Sequence, residues 1–295
     1  MKNQVTHTML TASGKVQVGV CVDPSNDPAL LQVAAQVAEE MNLPLLKAPA
    51  ATPGCEQALI TITASRVELR VTSQVEGLAG CKPVAVDLAK VDGSSPQGRS
   101  LRQPLARAMG IRKGNPFRPS VIDATAGYGE DAWLLASIGC RVLAVERNKL
   151  VSLLLGDAIL SVGEKQPVVL KRIEFINADS IELLKVIHTS NGGSSEDAEL
   201  PDEVKNFLEP DVVYLDPMFP SSRKAAERKP LKVLRWLVGN DDDAGDLFDA
   251  AMHVARSRVV VKRPLKSPYL GDRKPTHSHK GHVMRYDVYA VAEHH

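Results

Sequence analysis

The stretch Tyr214-Leu215-Asp216-Pro217-Met218-Phe219-Pro220 carries residue types that can hold a flat, aminated ring. Asp216 can accept a hydrogen bond from an exocyclic amine. Pro217 adds a carbonyl acceptor with no competing N–H, and its fixed φ gives that carbonyl a defined direction. Phe219 can stack on the ring. Together they would engage both hydrogens of an NH₂ group and leave its lone pair to attack an electrophile. The same residues also suit a plain strand exit, with Asp216 capping a turn and Phe219 in the core, so the motif needs its context. That context begins with Val212 to Leu215, an apolar run that reads as a short buried strand. It delivers the motif to a carboxyl end, where open α/β sheets bind ligands.

Three earlier strand ends point to one ligand. Val121-Ile122-Asp123-Ala124-Thr125-Ala126-Gly127-Tyr128-Gly129-Glu130-Asp131 runs from a strand through a glycine turn into a helix. Gly127 and Gly129 permit a tight turn and close approach of a ligand to the backbone. The dinucleotide fingerprint is absent, because no third glycine follows at its distance and Asp123 sits where a pyrophosphate would be repelled. Asp123 instead suits a cationic amine or sulfonium, and S-adenosylmethionine has both. Glu146, ending the next strand, is placed to accept from both ribose hydroxyls. Asp179 ends the third strand and can accept the adenine amino group, with Ser180 capping the following helix. Asp216 ends the fourth.

The elements that must position these residues follow from periodicity. From Ser120 onward strands and helices alternate, the pattern of a doubly wound parallel sheet. Strands are expected at 120–124, 141–146, 172–176, 211–216 and 257–262, and helices near 130–138, 148–162, 180–188, 226–238 and 244–255. A last strand at 283–291 is expected beside the fifth, antiparallel to it. Before the boundary, Val16 to Val22 reads as a strand, Ala29 to Met41 as a helix, and 58–63 with 67–72 as a hairpin. The turn-rich stretch from Val91 to Gly98 marks the boundary. Residues 1–95 therefore read as a small α/β accessory domain and 96–295 as the catalytic one. The polar segment from Asn191 to Asp197 reads as a flexible insertion.

At 295 residues and 44% hydrophobic content the chain can build a sizeable core. No run of eighteen apolar residues suggests a membrane span, and no apolar segment follows the N-terminus, so a cytoplasmic protein is expected. Cys21, Cys55, Cys81 and Cys140 form no CxxC pair, which argues against a disulfide framework and a zinc knuckle. His277-x-His279-x-x-His282 lacks a carboxylate or cysteine to complete a set and lies in what reads as a basic loop, so no metal is expected. Net charge is only +1, yet Arg223, Lys224, Arg228, Lys229, Lys232 and Arg235 crowd the stretch after the motif. From Arg256 to Arg285 the sole acid is Asp272. Such segments suit a phosphate-bearing partner, with Arg223, Lys224, Arg228, Lys229, Lys262 and Arg263 as candidate RNA contacts. Trp133 and Trp236 fall within predicted helices and read as core residues.

The motifs Asp-Ala-Thr-Ala-Gly127-x-Gly129-x-Asp131-Ala, Gly139-Cys-Arg-Val, Glu146-Arg147-Asn148, Val213-Tyr-Leu-Asp216-Pro-Met-Phe-Pro, Ser257-Arg-Val-Val-Val-Lys262-Arg-Pro and Lys280-Gly-His282 together resemble the RsmJ family. Those are ribosomal small-subunit methyltransferases that place a methyl on N2 of a guanosine in 16S rRNA using S-adenosylmethionine. The resemblance covers about residues 120 to 290. It implies a Rossmann-like class I methyltransferase sheet with helices on both faces, and 16S rRNA or the small ribosomal subunit as partner. It also implies Glu130, Asp131, Glu146, Arg147, Asp179, Ser180 and Asp216 as cofactor-site positions. Asp216, Pro217 and Phe219 are then the catalytic candidates. Related tetrapeptides also serve DNA amino-methyltransferases and glutamine methyltransferases, and a non-catalytic ribosome-binding protein or a dehydrogenase are the readings outside this chemistry.

Overall fold

Alternating valines build the first sheet. In the computed structural model, which describes residues 8–11, 14–23, 26–46, 57–72, 75–78, 80–91, 100–191, 200–218 and 229–291, strands β1 (Thr8–Thr11) and β2 (Gly14–Asp23) pair antiparallel. Val16, Val18, Val20 and Val22 of β2 are all buried. Helix α1 (Pro28–Glu40) follows, its N-terminus capped by the Asp27 carboxylate, which accepts from the Ala29 and Leu30 amides. Strand β3 (Ala58–Thr63) then returns parallel to β2, and β4 (Val67–Val71) closes a hairpin on β3. The strand, helix and hairpin read from the sequence are all present.

After α2 (Pro104–Ala108) the strand–helix alternation begins: β5 (Ser120–Asp123), α3 (Glu130–Ser137), β6 (Arg141–Glu146), α4 (Lys149–Gly163), α5 (Pro167–Leu170), β7 (Ile173–Asn177), α6 (Ser180–Asn191), α7 (Asp202–Lys205), β8 (Val212–Leu215), α8 (Lys229–Val238), α9 (Ala244–Val254), β9 (Arg258–Pro264), β10 (His277–Lys280) and β11 (Met284–Ala290). The large sheet has the order β10-β11-β9-β8-β5-β6-β7. Strands β5 to β9 are parallel, and β11 runs antiparallel to β9, from Met284 opposite Pro264 to Ala290 opposite Arg258. The chain leaves β5 toward β6 and β7, then crosses back to β8. The strand order thus reverses beside β5, and the crevice outside the carboxyl ends of β5 and β8 is the switch point where such sheets bind ligands. Every expected strand of this sheet forms. Strand β10 does not match the expected basic loop, because its polar HSHK sequence lacks the alternation that marks a half-buried strand.

One face of the sheet, with Ile122, Leu143, Val145, Val213, Leu215, Val259 and Val261, packs on Leu183, Leu184 and Ile187 of α6 and on Leu247, Phe248, Ala251 and Val254 of α9. Asp123, Tyr214 and Lys262 alternate with these residues along β5, β8 and β9. Near the starts of β5 and β8, Asp211 accepts from the Ser120 amide at 2.8 Å and from its hydroxyl at 2.9 Å, which fixes the register between the two central strands.

The chain divides into two compact units, one of Met1–Val86, Lys149–Ser161 and Pro220–Asn240, the other of Asp87–Asn148, Val162–Phe219 and Asp241–His295. The sequence predicts a division at residue 95, with everything later in the second domain. Instead most of α4 and the whole of α8 group with the N-terminal sheet. Asp157 on α4 accepts from the Val67 amide at 2.9 Å, and α8 lies against β1. Order along the chain does not reveal such returns. Among the described residues no helix is long and apolar enough to cross a membrane. The insertion from Asn191 to Asp197 lies, after Asn191, outside the described residues.

Trp133 on α3 is fully buried, as its helical position predicts. Trp133→Ala should cost ~3–5 kcal/mol of stability, seen as a lowered thermal midpoint. A midpoint equal to that of the unaltered protein would remove Trp133 from the core.

Candidate active site

The turn after β5 is shaped by two glycines and three side chains. Gly127 has φ 53° and Gly129 φ 74°, left-handed values that favour glycine. The Asp123 carboxylate is 1% exposed and accepts from the Thr125 amide at 3.1 Å. Burial pushes its pKa well up, and Asp131 pushes it further. Asp123 therefore backs the turn from beneath. Across the crevice Glu146, at the end of β6, accepts from the Gly127 amide at 2.9 Å and the Asn148 amide at 2.7 Å, one on each carboxylate oxygen. Burial raises its pKa although both backbone donors favour the charged form.

At the end of β8 the motif is held at two points. The Asp216 amide donates to the Thr125 hydroxyl at 2.6 Å, tying the motif to the glycine turn. The Asp216 carboxylate meets the Lys262 ammonium at 2.9 Å, and the same ammonium donates to Asp131 at 2.7 Å. Tyr214, fully buried, donates its hydroxyl to that same Asp131 oxygen at 2.6 Å. Burial raises the pKa of Asp216, and Asp131 adds to the rise while Lys262 opposes it. For Lys262 burial works against the charge, but Asp216 and Asp131 outweigh it and hold the ammonium well above the usual lysine range. Tyr286 pairs with Lys262 across β11 and β9, and burial pushes its phenol up to about 12.

The next residues of the motif are fixed from the segment before α9. Pro217 is buried. The Met218 amide donates to the Asp241 carboxylate at 2.6 Å, and the Asp241 amide returns a bond to the Met218 carbonyl at 3.0 Å. Arg147, just past β6, pairs with Asp241 and, at 2.6 Å, with Asp243. A chain of contacts thus runs from the end of β6 to the backbone of the motif.

The structure gathers Asp123, Gly127, Gly129, Asp131, Glu146 and Asp216 around one crevice and assigns other predicted residues to different work. Glu130 is exposed in the first turn of α3. Arg147 braces Asp241 and Asp243. Ser180 does not cap α6: Asp179 does, accepting from the Ile181 and Glu182 amides, while the buried Ser180 hydroxyl donates to the Ala124 carbonyl at 2.7 Å. Lys262 and Arg263, expected as phosphate contacts, are both engaged within the protein. Lys262 is bound between two carboxylates, and Arg263 is 4% exposed, its guanidinium donating to the Pro268 carbonyl at 2.7 Å. Lys229 is exposed at the start of α8. Phe219, Arg223, Lys224 and Arg228 lie outside the described residues. Thr125, Tyr214 and Asp241 belong to the site without a sequence signal of their own; Thr125 sits inside the glycine-turn motif and Tyr214 inside the motif strand, where each reads as spacing or core. Among the described residues no cluster of His, Cys, Asp or Glu has the arrangement of a metal site.

Comparisons with known proteins show the family and the fold. The family described as "Putative SAM-dependent methyltransferase" matches residues 45–291. A ribosomal RNA small subunit methyltransferase J from Thioalkalivibrio sulfidiphilus (strain HL-EbGR7) is 37% identical over 266 residues, covering 89% of this chain and 94% of its own. Its counterpart from Cellvibrio japonicus (strain Ueda107) is 35% identical over 262 residues, covering 87% and 92%. The crystal structure of a SAM-dependent methyltransferase from Neisseria gonorrhoeae has a TM-score of 0.61 at 24% identity, covering 92% of this chain and 96% of its own, a likeness of fold.

The Arg147 brace makes a local prediction. Its ion pairs are partly exposed, so Arg147→Ala should change global stability by no more than about 1 kcal/mol. Amide hydrogen exchange at Met218 and Asp241 should nonetheless accelerate, and unchanged exchange at both would show that the brace does not hold the motif.

Proposed function

This chain belongs to the S-adenosylmethionine-dependent methyltransferases, within the family of ribosomal RNA small subunit methyltransferase J, and we propose that it methylates the exocyclic N2 of a guanosine in 16S rRNA. The observation that carries this reading is the pinned Asp216-Pro217 step at the switch point beside the glycine turn. S-adenosylmethionine, when bound, supplies an electrophilic methyl group on a sulfonium. The residues present fit that ligand. The Gly127 and Gly129 turn allows close approach to the backbone. Each Glu146 oxygen accepts one backbone N–H and has a lone pair left for a ribose hydroxyl, and Asp179 stands at the next strand end for the adenine amine. Asp131, in the first turn of α3, supplies negative charge on the β5 side, while the buried Asp123 backs the glycine turn. This set is a proposal for the cofactor site, with Glu130, Arg147 and Ser180 shaping its surroundings.

Guanine N2 is a weak nucleophile because its lone pair is delocalised into the ring. The Asp216 carboxylate and the Pro217 carbonyl accept its two hydrogens and favour a pyramidal nitrogen with the lone pair directed at the methyl. Asp216 then accepts the proton that the nitrogen loses. Phe219 is proposed as the stacking platform for a base exposed or flipped from folded RNA. Because burial raises the Asp216 pKa, the acid limb of kcat should lie above the ordinary aspartate value of about 3.9. Below that limb the carboxylate is protonated and cannot take the amine proton. From the proposed ribosomal RNA substrate we infer a cytoplasmic location.

For the RNA backbone we propose Lys229 with Arg223, Lys224 and Arg228, and a second cationic patch around α2 and β10 in place of Lys262 and Arg263. Arg107 and Arg112 are exposed there, and the Arg258 guanidinium lies against Gly110. The His277 and His279 rings sit 5.1 Å apart on β10. Burial lowers the His279 pKa, and Arg107, His277 and Arg258 lower it further, as expected of a cationic surface.

Two experiments test the reading. Mass mapping of 16S rRNA from cells with and without the protein should show one N2-methylguanosine that depends on it. Asp216→Ala should cut methyl transfer by about 10²–10⁴-fold while leaving cofactor and RNA affinity within tenfold. A fully active variant, or a map in which no 16S guanosine changes, sinks the assignment. For the patch, the double variant Arg107→Ala/Arg112→Ala should flatten the salt dependence of RNA binding by roughly one to two in log–log slope with cofactor affinity unchanged. An unchanged slope removes the patch from the interface.

A further inference from the structure

We propose that Lys262 is a positioning residue for methyl transfer: bridging Asp131 and Asp216, it keeps the Asp216 carboxylate ionised and turns one oxygen toward the substrate amine. The inference rests on the reading of Asp216 as amine acceptor and assigns that site a residue whose sequence pattern suggests RNA contact instead.

The geometry carries it. The Lys262 ammonium lies 2.7 Å from Asp131 Oδ2 and 2.9 Å from Asp216 Oδ2. Two carboxylates this close to a shared point, both partly withdrawn from water, repel each other, and without a cation one of them takes up a proton. A single ammonium with three donors can satisfy both at once. Asp131 is independently fixed by the Tyr214 hydroxyl and by its place in the first turn of α3, where the helix favours negative charge. Lys262 is therefore tethered on its far side and acts as a fixed post for Asp216. The Asp216 amide is bonded to the Thr125 hydroxyl, so this residue is held at both backbone and side chain. Oδ2 faces Lys262, and Oδ1 is the oxygen Lys262 does not hold. A preoriented acceptor of this kind needs no reorganisation when the amine arrives. A phosphate contact would require the ammonium to leave two carboxylates uncompensated, which costs more than an exposed phosphate contact returns.

The groups that face Asp216 come from five other places: Asp123 on β5, Asp131 on α3, Lys262 on β9, Tyr286 on β11 and Asp241 before α9. Lys262 is the only cation among these described groups. Its removal therefore raises the pH at which Asp216 protonates, and removal of the Asp131 charge lowers it.

The test measures kcat against pH, KM for rRNA and cofactor affinity for the full chain. Lys262→Met should lower kcat at neutral pH by about a hundredfold, leave cofactor affinity within tenfold, and move the acid limb upward by about one pH unit or more. Lys262→Arg should restore the limb and most of kcat. If Lys262→Met fails to fold, Asp131→Asn gives the opposite sign, a limb moved to lower pH. The proposal is overturned if Lys262→Met keeps kcat and limb, or if its only defect is a raised KM for RNA with a shallower salt dependence. A limb that Asp131→Asn leaves in place overturns it as well. An inactive Asp216→Ala beside a normal Lys262→Met would reject this inference alone, whereas an active Asp216→Ala would reject the site.

Discussion

Two carboxylates, Asp131 and Asp216, converge on one ammonium at the carboxyl edge of the sheet, and the rest of the site is arranged so that this contact can exist. A partly buried ion cluster is not a source of stability in itself, because desolvation offsets much of the Coulombic gain. Its value lies in direction. Asp131 comes from a helix start, Asp216 from a strand end and Lys262 from the neighbouring strand, and only a parallel β8–β9 pair beside the β5–α3 turn brings these three together. The fully buried Tyr214 hydroxyl completes Asp131 from below, so the cluster stands on the sheet itself. Disturbing the register of β8 against β5 or β9 would separate the carboxylates from their shared cation.

The same logic explains the polar residues that border the crevice. Thr125 bonds the motif amide, Glu146 bonds the amide of Gly127, Ser180 bonds the Ala124 carbonyl, and Asp241 bonds both polar backbone groups of Met218. Each ties one loop of the crevice to another strand end. Loops that carry chemistry have few apolar contacts of their own, and side chain-to-backbone bonds of this kind replace the packing that fixes strands and helices.

Much of this arrangement is legible in the amino-acid sequence. Apolar runs bounded by turn residues locate β5 to β9, and the acidic residues that end β5 and β6 and follow β7 and β8 mark the ligand edge. Alternation from Met284 to Ala290 locates the antiparallel strand beside β9. Harder to read is β10, where the sequence HSHK has neither apolar alternation nor β-branched residues, and where pairing with β11 supplies what propensity does not. Harder still is the membership of most of α4 and all of α8 in the first unit, since nothing in an apolar helix states which surface it will cover. Ser180 and Asp179 also exchange roles between sequence and structure. Both are good helix caps by type, and a one-residue difference in where α6 begins decides which side chain reaches the free amides.

Lys262 and Arg263 show why charge patterning cannot complete the site. In the sequence they are adjacent basic residues in a basic segment, and each looks like a phosphate ligand. On a strand, neighbours point to opposite faces. Lys262 shares its face with Arg258 and Val260, beside Tyr286 on β11, and reaches the carboxylates of the crevice. Arg263 shares its face with Val259 and Val261 and goes into the interior near Arg285 and Asp287, its charge answered by the Pro268 carbonyl and by Asp287. The period-two rule holds for any strand, but it assigns faces only once the β9 register is known, and that register is set by Val213 against Val259 and Asp287 against Val261. A one-residue slip in β9 would bury the lysine, expose the arginine and leave Asp131 and Asp216 without a cation. Strand parity, more than residue type, sends one of these two cations to the crevice and the other into the scaffold.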